Sequence, residues 1–318
     1  MTAPPATLRA QSGAESAARP SAWHVVSAAS AQGSAPFNED GVGVRGAHAW
    51  IIDGSAFFTG PSRLAGTSEG AWLVSTIDRW LRDTELAPLT LPQIAARLDA
   101  HLTDCDAALG PAASERGDGQ GPTAVFALLR LTAEGEGFRA EAMLVGDVCV
   151  LIADRDRVAR WTDERAQPFE ARTIAAASAA GRPEAGAIAP DALAQVIANR
   201  RSLNRDGGYW AIAPGQPWRQ GLRTLSLDLS AEATLLLATD GFMRLVDMME
   251  RYDDGGLLAA TTQRGAAAMI AELRDIERED GRAERFARVK LHDDATALML
   301  RPGRAGPDET THEKQNGE

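Results

Sequence analysis

The chain has 318 residues, 44% of them hydrophobic and 24% charged, and a formal net charge of −11. This is the composition of an ordinary globular protein long enough to bury a sizeable core. The acidic balance argues against a nucleic-acid or anionic-membrane surface, both of which need clustered Lys and Arg. It leaves a surplus of carboxylates as oxygen ligands for hard cations.

In chain order, residues 1–20 are rich in Ala, Pro and Ser without apolar periodicity and read as a disordered leader. The leader lacks the apolar core of a secretory signal, and no apolar run reaches membrane-spanning length, so the expected address is cytoplasmic. Alternating apolar runs predict strands over 23–29, 42–45, 49–52, 123–131, 139–145, 148–152, 222–227, 234–238 and 295–300. Helices are predicted over 63–81, 91–108, 191–203, 242–249 and 255–277. In the second of these, Leu91, Ile94, Ala95, Leu98 and Leu102 recur at three- and four-residue steps, and Pro92 sits where a first-turn proline belongs. Strands grouped early, then helices, then strands again, fit an α+β layered domain better than a doubly wound parallel sheet. One domain is expected over 21–302, with a disordered polar tail over 303–318. Of two cysteines, Cys105 and Cys149 share no metal-ligand spacing; Cys149, inside an apolar run, reads as a buried reduced thiol. Heavy use of Ala, Arg and Gly with few Lys suggests a GC-rich bacterial source.

Five acidic sites adjoin apolar strand candidates: Glu39-Asp40 in FNEDGVGV, Asp53 in HAWIIDGS, Asp147 in AMLVGDVCV, Asp240 in TLLLATDGF and Asp293-Asp294 in LHDDATALML. A carboxylate at a strand end is held on a rigid element, and several converging can ligate divalent ions. Asp-Gly pairs also mark ordinary turns and helix caps. Asp118-Gly119, Asp206-Gly207 and Asp280-Gly281 lie in polar surroundings and read as plain loops. Asp53-Gly54 and Asp240-Gly241 end apolar runs instead. HExxH, GxxxxGK[ST] and GxSxG motifs are lacking, and the five histidines show no ligand pairing.

The succession SAQGSAPFNED, Asp53-Gly54, GPTAVFALLRL, AMLVGDVCVLIAD, RWTDERA, LLLATDGFMRLVD and HDDATALML resembles the metal-dependent Ser/Thr protein phosphatases (the PPM, or protein phosphatase 2C, family), of bacterial type. The likeness runs from about Ser27 to Arg301. It implies a four-layer α-β-β-α sandwich and hydrolysis of phosphoserine and phosphothreonine in proteins by water activated between two divalent ions, Mg²⁺ or Mn²⁺. In that scheme Asp53 bridges both ions and the Gly54 carbonyl binds one. Asp240 and Asp293 ligate the other, Glu39 and Asp40 hold bound waters, and Asp147 helps hold a third, weaker ion. Asp294 is a neighbour of the ligand set. Catalysis would then rest on Asp53, Asp40 and Glu39. The partner implied is a phosphorylated protein, with no nucleic acid or membrane, and the chain is expected to be a monomer.

Two positions depart from the family pattern. Ala35 stands where the family has a phosphate-gripping Arg, and Ser55 where it often has His. Arg63 and Arg45 are the candidate replacements for the missing grip. Residues 164–217 would form a flap beside the site, with Arg200, Arg201, Arg205, Tyr209 and Trp210 available to a phosphoprotein. The departures also fit a different class: a catalytically weak or inactive phosphatase fold used as a binding or regulatory module.

Overall fold

The computed structural model describes residues 20–56, 64–110, 121–179 and 190–306. These form ten strands and seven α-helices: β1 (Ser21–Ala31), β2 (Asp40–Arg45), β3 (His48–Ser55), α1 (Glu69–Asp83), α2 (Leu91–Ala108), β4 (Thr123–Glu134), β5 (Gly137–Val145), β6 (Cys149–Asp154), β7 (Arg157–Trp161), α3 (Gln167–Ala179), α4 (Pro190–Arg200), β8 (Arg223–Leu229), β9 (Thr234–Ala238), α5 (Asp240–Asp247), α6 (Asp254–Arg264), α7 (Ala266–Glu279) and β10 (Ala295–Arg304). One sheet has the order β1-β10-β9-β6-β7 and the other β2-β3-β4-β5-β8. Neighbouring strands in both are antiparallel.

Side chains alternate faces along a strand, so each central strand feeds two cores. Ala49, Ile51, Ala127 and Leu129 meet Leu235, Leu237, Leu298 and Leu300 between the sheets. Trp50, Ile52, Phe126 and Leu128 point the other way, onto α1 and α2 through Leu73, Ile77, Ile94 and Leu98. Leu236, Ala297 and Met299 pack under α5, α6 and α7 against Phe242, Leu257, Met269 and Leu273. The result is the four-layer α-β-β-α sandwich. Because the central strands bury both faces, their sequences are nearly continuous apolar runs. At roughly 1.5–3 kcal/mol per buried large apolar side chain, these three clusters dominate the folding drive.

Local chemistry sets the element ends. At α2, Thr90 and Gln93 form a reciprocal capping box, with proline in the first turn. Ser68 caps α1, its hydroxyl accepting from the amide of Ala71 at 3.0 Å. The single helix expected over 255–277 is in fact two, because Gly265, at φ +82°, ends α6 and starts α7. Two elements escape the sequence reading. β7 is an edge strand whose side chains are almost all exposed, so no apolar run announces it. Helix α3 lies in an alanine-rich stretch without a clear apolar stripe.

Strand β10 continues to Arg304, with Gly303 paired to Ala22 and Arg304 to Ser21. The leader, apart from Pro20, and the tail beyond Gly306 lie outside the described residues, as do Arg63 and Asp118-Gly119. Asp206-Gly207 is a turn, with Gly207 at φ +74°. Asp280 also serves a loop, accepting from the amides of Glu284, Arg285 and Phe286. Cys149 is buried, and burial pushes its thiol up to about 12, consistent with an inert thiol. Among the described residues no helix is long and apolar enough to cross a membrane.

Candidate active site

Antiparallel pairing brings the acidic strand ends to one end of the sandwich. Asp53 near the end of β3 lies opposite Asp40 at the start of β2. Asp240 begins α5 directly after β9, and the preceding Thr239 donates its amide to the carbonyl of Thr296 on β10. Asp293 and Asp294 precede β10, and Asp147 occupies the turn between β5 and β6. That turn needs Gly146: it sits at φ +80°, and a Cβ there would lie 2.1 Å from Val125 Cγ1.

Asp53, Asp147, Asp240 and Asp293 line one cleft of about 280 Å³. Burial, then neighbouring carboxylates, hold Asp40 and Asp53 well above the usual carboxylate range: Asp294 and Asp240 act on Asp40, and Asp40 and Asp240 on Asp53. Asp147 rises to about 7, through burial and then the Asp240 charge. Asp240 is raised by burial and by Asp293, and it shares a hydrogen bond with Asp53. Asp40 also ties the two sheets, accepting from the Thr239 hydroxyl at 2.9 Å.

Glu39 and Asp294 do something the sequence does not announce. The Glu39 carboxylate accepts from the Ser68 hydroxyl at 2.5 Å and the Ala56 amide at 3.3 Å, which fastens it to the N-terminus of α1. A Cβ on Gly70 would lie 2.6 Å from that carboxylate. Asp294 accepts from the amides of Gly33 and Glu39, each at 2.7 Å, and so clamps the loop between β1 and β2 to the start of β10. Its backbone carbonyl is where a Cβ on Gly241 would intrude, at 1.9 Å. Gly241→Ala is therefore expected to lower stability by about 2–4 kcal/mol through a forced shift of the Asp293-Asp294 segment; a thermal melt within about 1 °C of the parent would contradict this.

Asp293 differs from its acidic neighbours. Burial would raise it, yet Lys290 and Arg244 outweigh burial and hold it below the ordinary range. Lys290 Nζ lies 2.7 Å from Oδ1, and Arg244 Nη2 lies 2.9 Å from Oδ2. Arg244 is anchored in turn by Glu277, a fully buried carboxylate, at 2.9 Å. Glu277 also meets Arg274 at 2.7 Å and His292 Nδ1 at 2.7 Å. His292 thus serves Glu277 rather than orienting the adjacent Asp293. Arg244 was legible as a cation one helical turn after Asp240, and Lys290 as a lysine three residues before Asp293. Nothing in the sequence singles out Glu277.

Residues within 169–210 supply the other wall. Phe169, Glu170 and Thr173 of α3, Val196 and Arg200 of α4, and Tyr209 and Trp210 after it all line the same cleft. Glu170 rises to about 7, through burial and then Asp240. Arg200 is buried at the end of α4, where it donates to the Ser55 hydroxyl at 2.9 Å and the Gly121 carbonyl at 2.8 Å. Arg201 and Arg205 are exposed. Arg45, the other candidate grip, has different partners. It sits at the far end of β2 from Asp40, pairs with Glu85 and donates to the carbonyl of Thr84. Arg200, at the end of α4, adjoins the end of β3 through Ser55 and the following Ala56 carbonyl.

The donor set suits a hard divalent cation, since every candidate ligand is a carboxylate or carbonyl oxygen and the crowded acids need positive charge. Even so, among the described residues no three His, Cys, Asp or Glu side chains are grouped closely enough to hold an ion as they stand. The Asp293 carboxylate has both oxygens turned to side-chain cations instead.

No family model and no curated protein matches this sequence. Solved structures do match. The Mycobacterium tuberculosis serine/threonine phosphatase PstP/Ppp superposes with a TM-score of 0.52 over 89% of this chain and 98% of its own, at 16% identity. The PPM Ser-Thr phosphatase MsPP from Mycobacterium smegmatis, in complex with cacodylate, gives 0.51 over 87% and 98%, at 15% identity. The catalytic domain of PstP in complex with two manganese ions gives 0.50 over 89% and 98%, at 13% identity. This chain has the bacterial PPM phosphatase fold. Identities this low establish the architecture alone. Within it, the four cleft aspartates sit at strand ends of both sheets, and residues of α3 and α4 line the same cleft.

Proposed function

We propose that the chain is a divalent-ion-dependent phosphatase that removes phosphate from phosphoserine and phosphothreonine in proteins. One observation carries the reading. Asp53, Asp147, Asp240 and Asp293 are far apart in the chain, yet they line a single cleft, where neighbouring carboxylates raise Asp53, Asp147 and Asp240 while Lys290 and Arg244 meet Asp293. Folding four acids into one place works against stability unless positive charge arrives. Solved structures that share the fold include Ser/Thr phosphatases, one of them in complex with two manganese ions.

In this reading Asp53, the Gly54 carbonyl, Asp240 and Asp147 hold Mg²⁺ or Mn²⁺, with Asp293 at the edge of the set. The bound ion supplies Lewis acidity toward a phosphoryl oxygen and lowers the pKa of water at the site. Asp40 holds the Asp53 rim in register through Thr239. Glu39 fixes the β3–α1 connection behind it. Arg200, a buried guanidinium beside Ser55, gives the cleft positive charge on the flap side and takes the part that Ala35 cannot. Phe169, Tyr209 and Trp210 offer apolar surface to a phosphopeptide and exclude water from the reacting group.

The test is phosphate release from phosphoserine and phosphothreonine peptides and from para-nitrophenyl phosphate, with manganese and after EDTA. Release should depend on the metal, and manganese at about 100 times its dissociation constant should add about 2.7 kcal/mol of stability. The pairing of Asp293 with Lys290 and Arg244 favours a second reading, the inactive binding module. Absence of metal-stimulated release across a pH series would select it.

A further inference from the structure

We infer that Lys290 is a built-in competitor for the ion at Asp293, so that the chain holds one divalent ion tightly and a second only by displacing this ammonium. The inference rests on the reading above, that the acidic cleft is a divalent-ion site, and adds how the site is divided.

Two kinds of carboxylate share the cleft. Among the described residues, no salt bridge to a side-chain cation is formed by Asp53, Asp147 or Asp240. At Asp293 each oxygen meets one, Lys290 Nζ at 2.7 Å and Arg244 Nη2 at 2.9 Å, and Oδ1 also accepts from the Asp294 amide at 3.2 Å. The two cations differ in how they are held. Arg244 is buried and braced on its other side by Glu277, which Arg274 and His292 pin in turn. Its planar fork cannot leave without breaking that network. Lys290 reaches Asp293 from only three residues away, on a flexible four-carbon stem, and lines the cleft. It is the part that can move.

An ammonium held against a carboxylate opposes a divalent ion on the same oxygens twice. It occupies a lone pair of Oδ1, and its charge repels the incoming ion at close range. The Asp53 and Asp240 side is free of the first effect. Ion binding should therefore proceed in two unequal steps. Since a phosphoryl oxygen attracts an ammonium as it attracts a metal, the displaced Lys290 head has a second place to go, the substrate phosphate.

Calorimetric titration with manganese, read beside the manganese electron paramagnetic resonance spectrum, decides this. Neither readout depends on turnover. The wild-type protein should fill one site first, giving the spectrum of an isolated ion, with a second site at least about tenfold weaker. Lys290→Met should tighten that second site by about tenfold or more and produce a spin-coupled pair at concentrations where the parent shows a single ion. Lys290→Arg, which keeps a cation, should leave the steps unequal. Two ions bound with equal affinity by the wild-type protein would overturn the inference and leave the phosphatase reading standing. So would a second site unchanged in well-folded Lys290→Met. No manganese bound by any variant would remove both. Should Lys290→Met fail to fold, the wild-type stoichiometry and spectrum still decide the matter.

Discussion

Asp53→Asn should abolish manganese-dependent turnover while making the metal-free protein more stable. Asparagine keeps the shape but removes the charge that faces Asp40, Asp240, Asp293 and Asp147. Groups that merely orient metal ligands cost about 10–100-fold when lost. A ligand placed between the sheets should cost on the order of 10³-fold in kcat/KM. The stability sign is opposite. A carboxylate raised in the folded state favours folding less as pH climbs from its unfolded value through its folded one. The metal-free wild type should therefore lose stability from about pH 4 upward, through the region near 7 where Asp147 titrates. Asp53→Asn should flatten that decline, and manganese should reverse it in the parent alone. Melting curves against pH, with EDTA and with manganese, provide the check. A variant with near-parental rate, or a metal-free parent steadily gaining stability up to pH 7, would refute this placement of Asp53.

The second large effect is expected at Glu277, which touches no candidate ligand oxygen. It is fully buried, pairs with Arg244 and Arg274 at 2.9 and 2.7 Å, and meets His292 Nδ1 at 2.7 Å. Removing one member of a buried ion network leaves the others as uncompensated charges, typically a cost of about 3–5 kcal/mol. Glu277→Ala should lower the melting temperature by about 10 °C for a chain of this size. Glu277→Gln, which keeps the shape and part of the bonding, should lose less. Freed from Glu277, Arg244 would lean further on Asp293 and weaken ion binding there. Chemical denaturation of both variants is the measurement; a loss below about 1 kcal/mol for Glu277→Ala would show the network contributes little.

How far the sequence leads depends on whether a residue's role is set by its own segment. Trp50, Ile51 and Ile52 form an apolar run that must be buried on both faces, so β3 and its carboxyl-terminal Asp53 were legible. Thr90, Pro92 and Gln93 announce the start of α2 by local capping alone. Strand β7 was hidden because an exposed edge strand needs no apolar residues. The break at Gly265 was hidden because a glycine inside a periodic stretch can be tolerated or can terminate it, and only packing decides.

The same division runs through the site. Sequence by itself determined the α+β layering and nominated Asp53, Asp147, Asp240 and Asp293, because each adjoins a run whose hydrophobic pattern fixes it to a sheet. Only the tertiary structure decided what surrounds them: Lys290 and Arg244 on Asp293, Glu277 behind Arg244, Arg200 from the flap, and Arg45 turned away to Glu85. Hydrophobic periodicity is written in neighbouring residues. A hydrogen bond between residues as distant as Arg200 and Ser55 has no local trace, and exists only once the chain has closed.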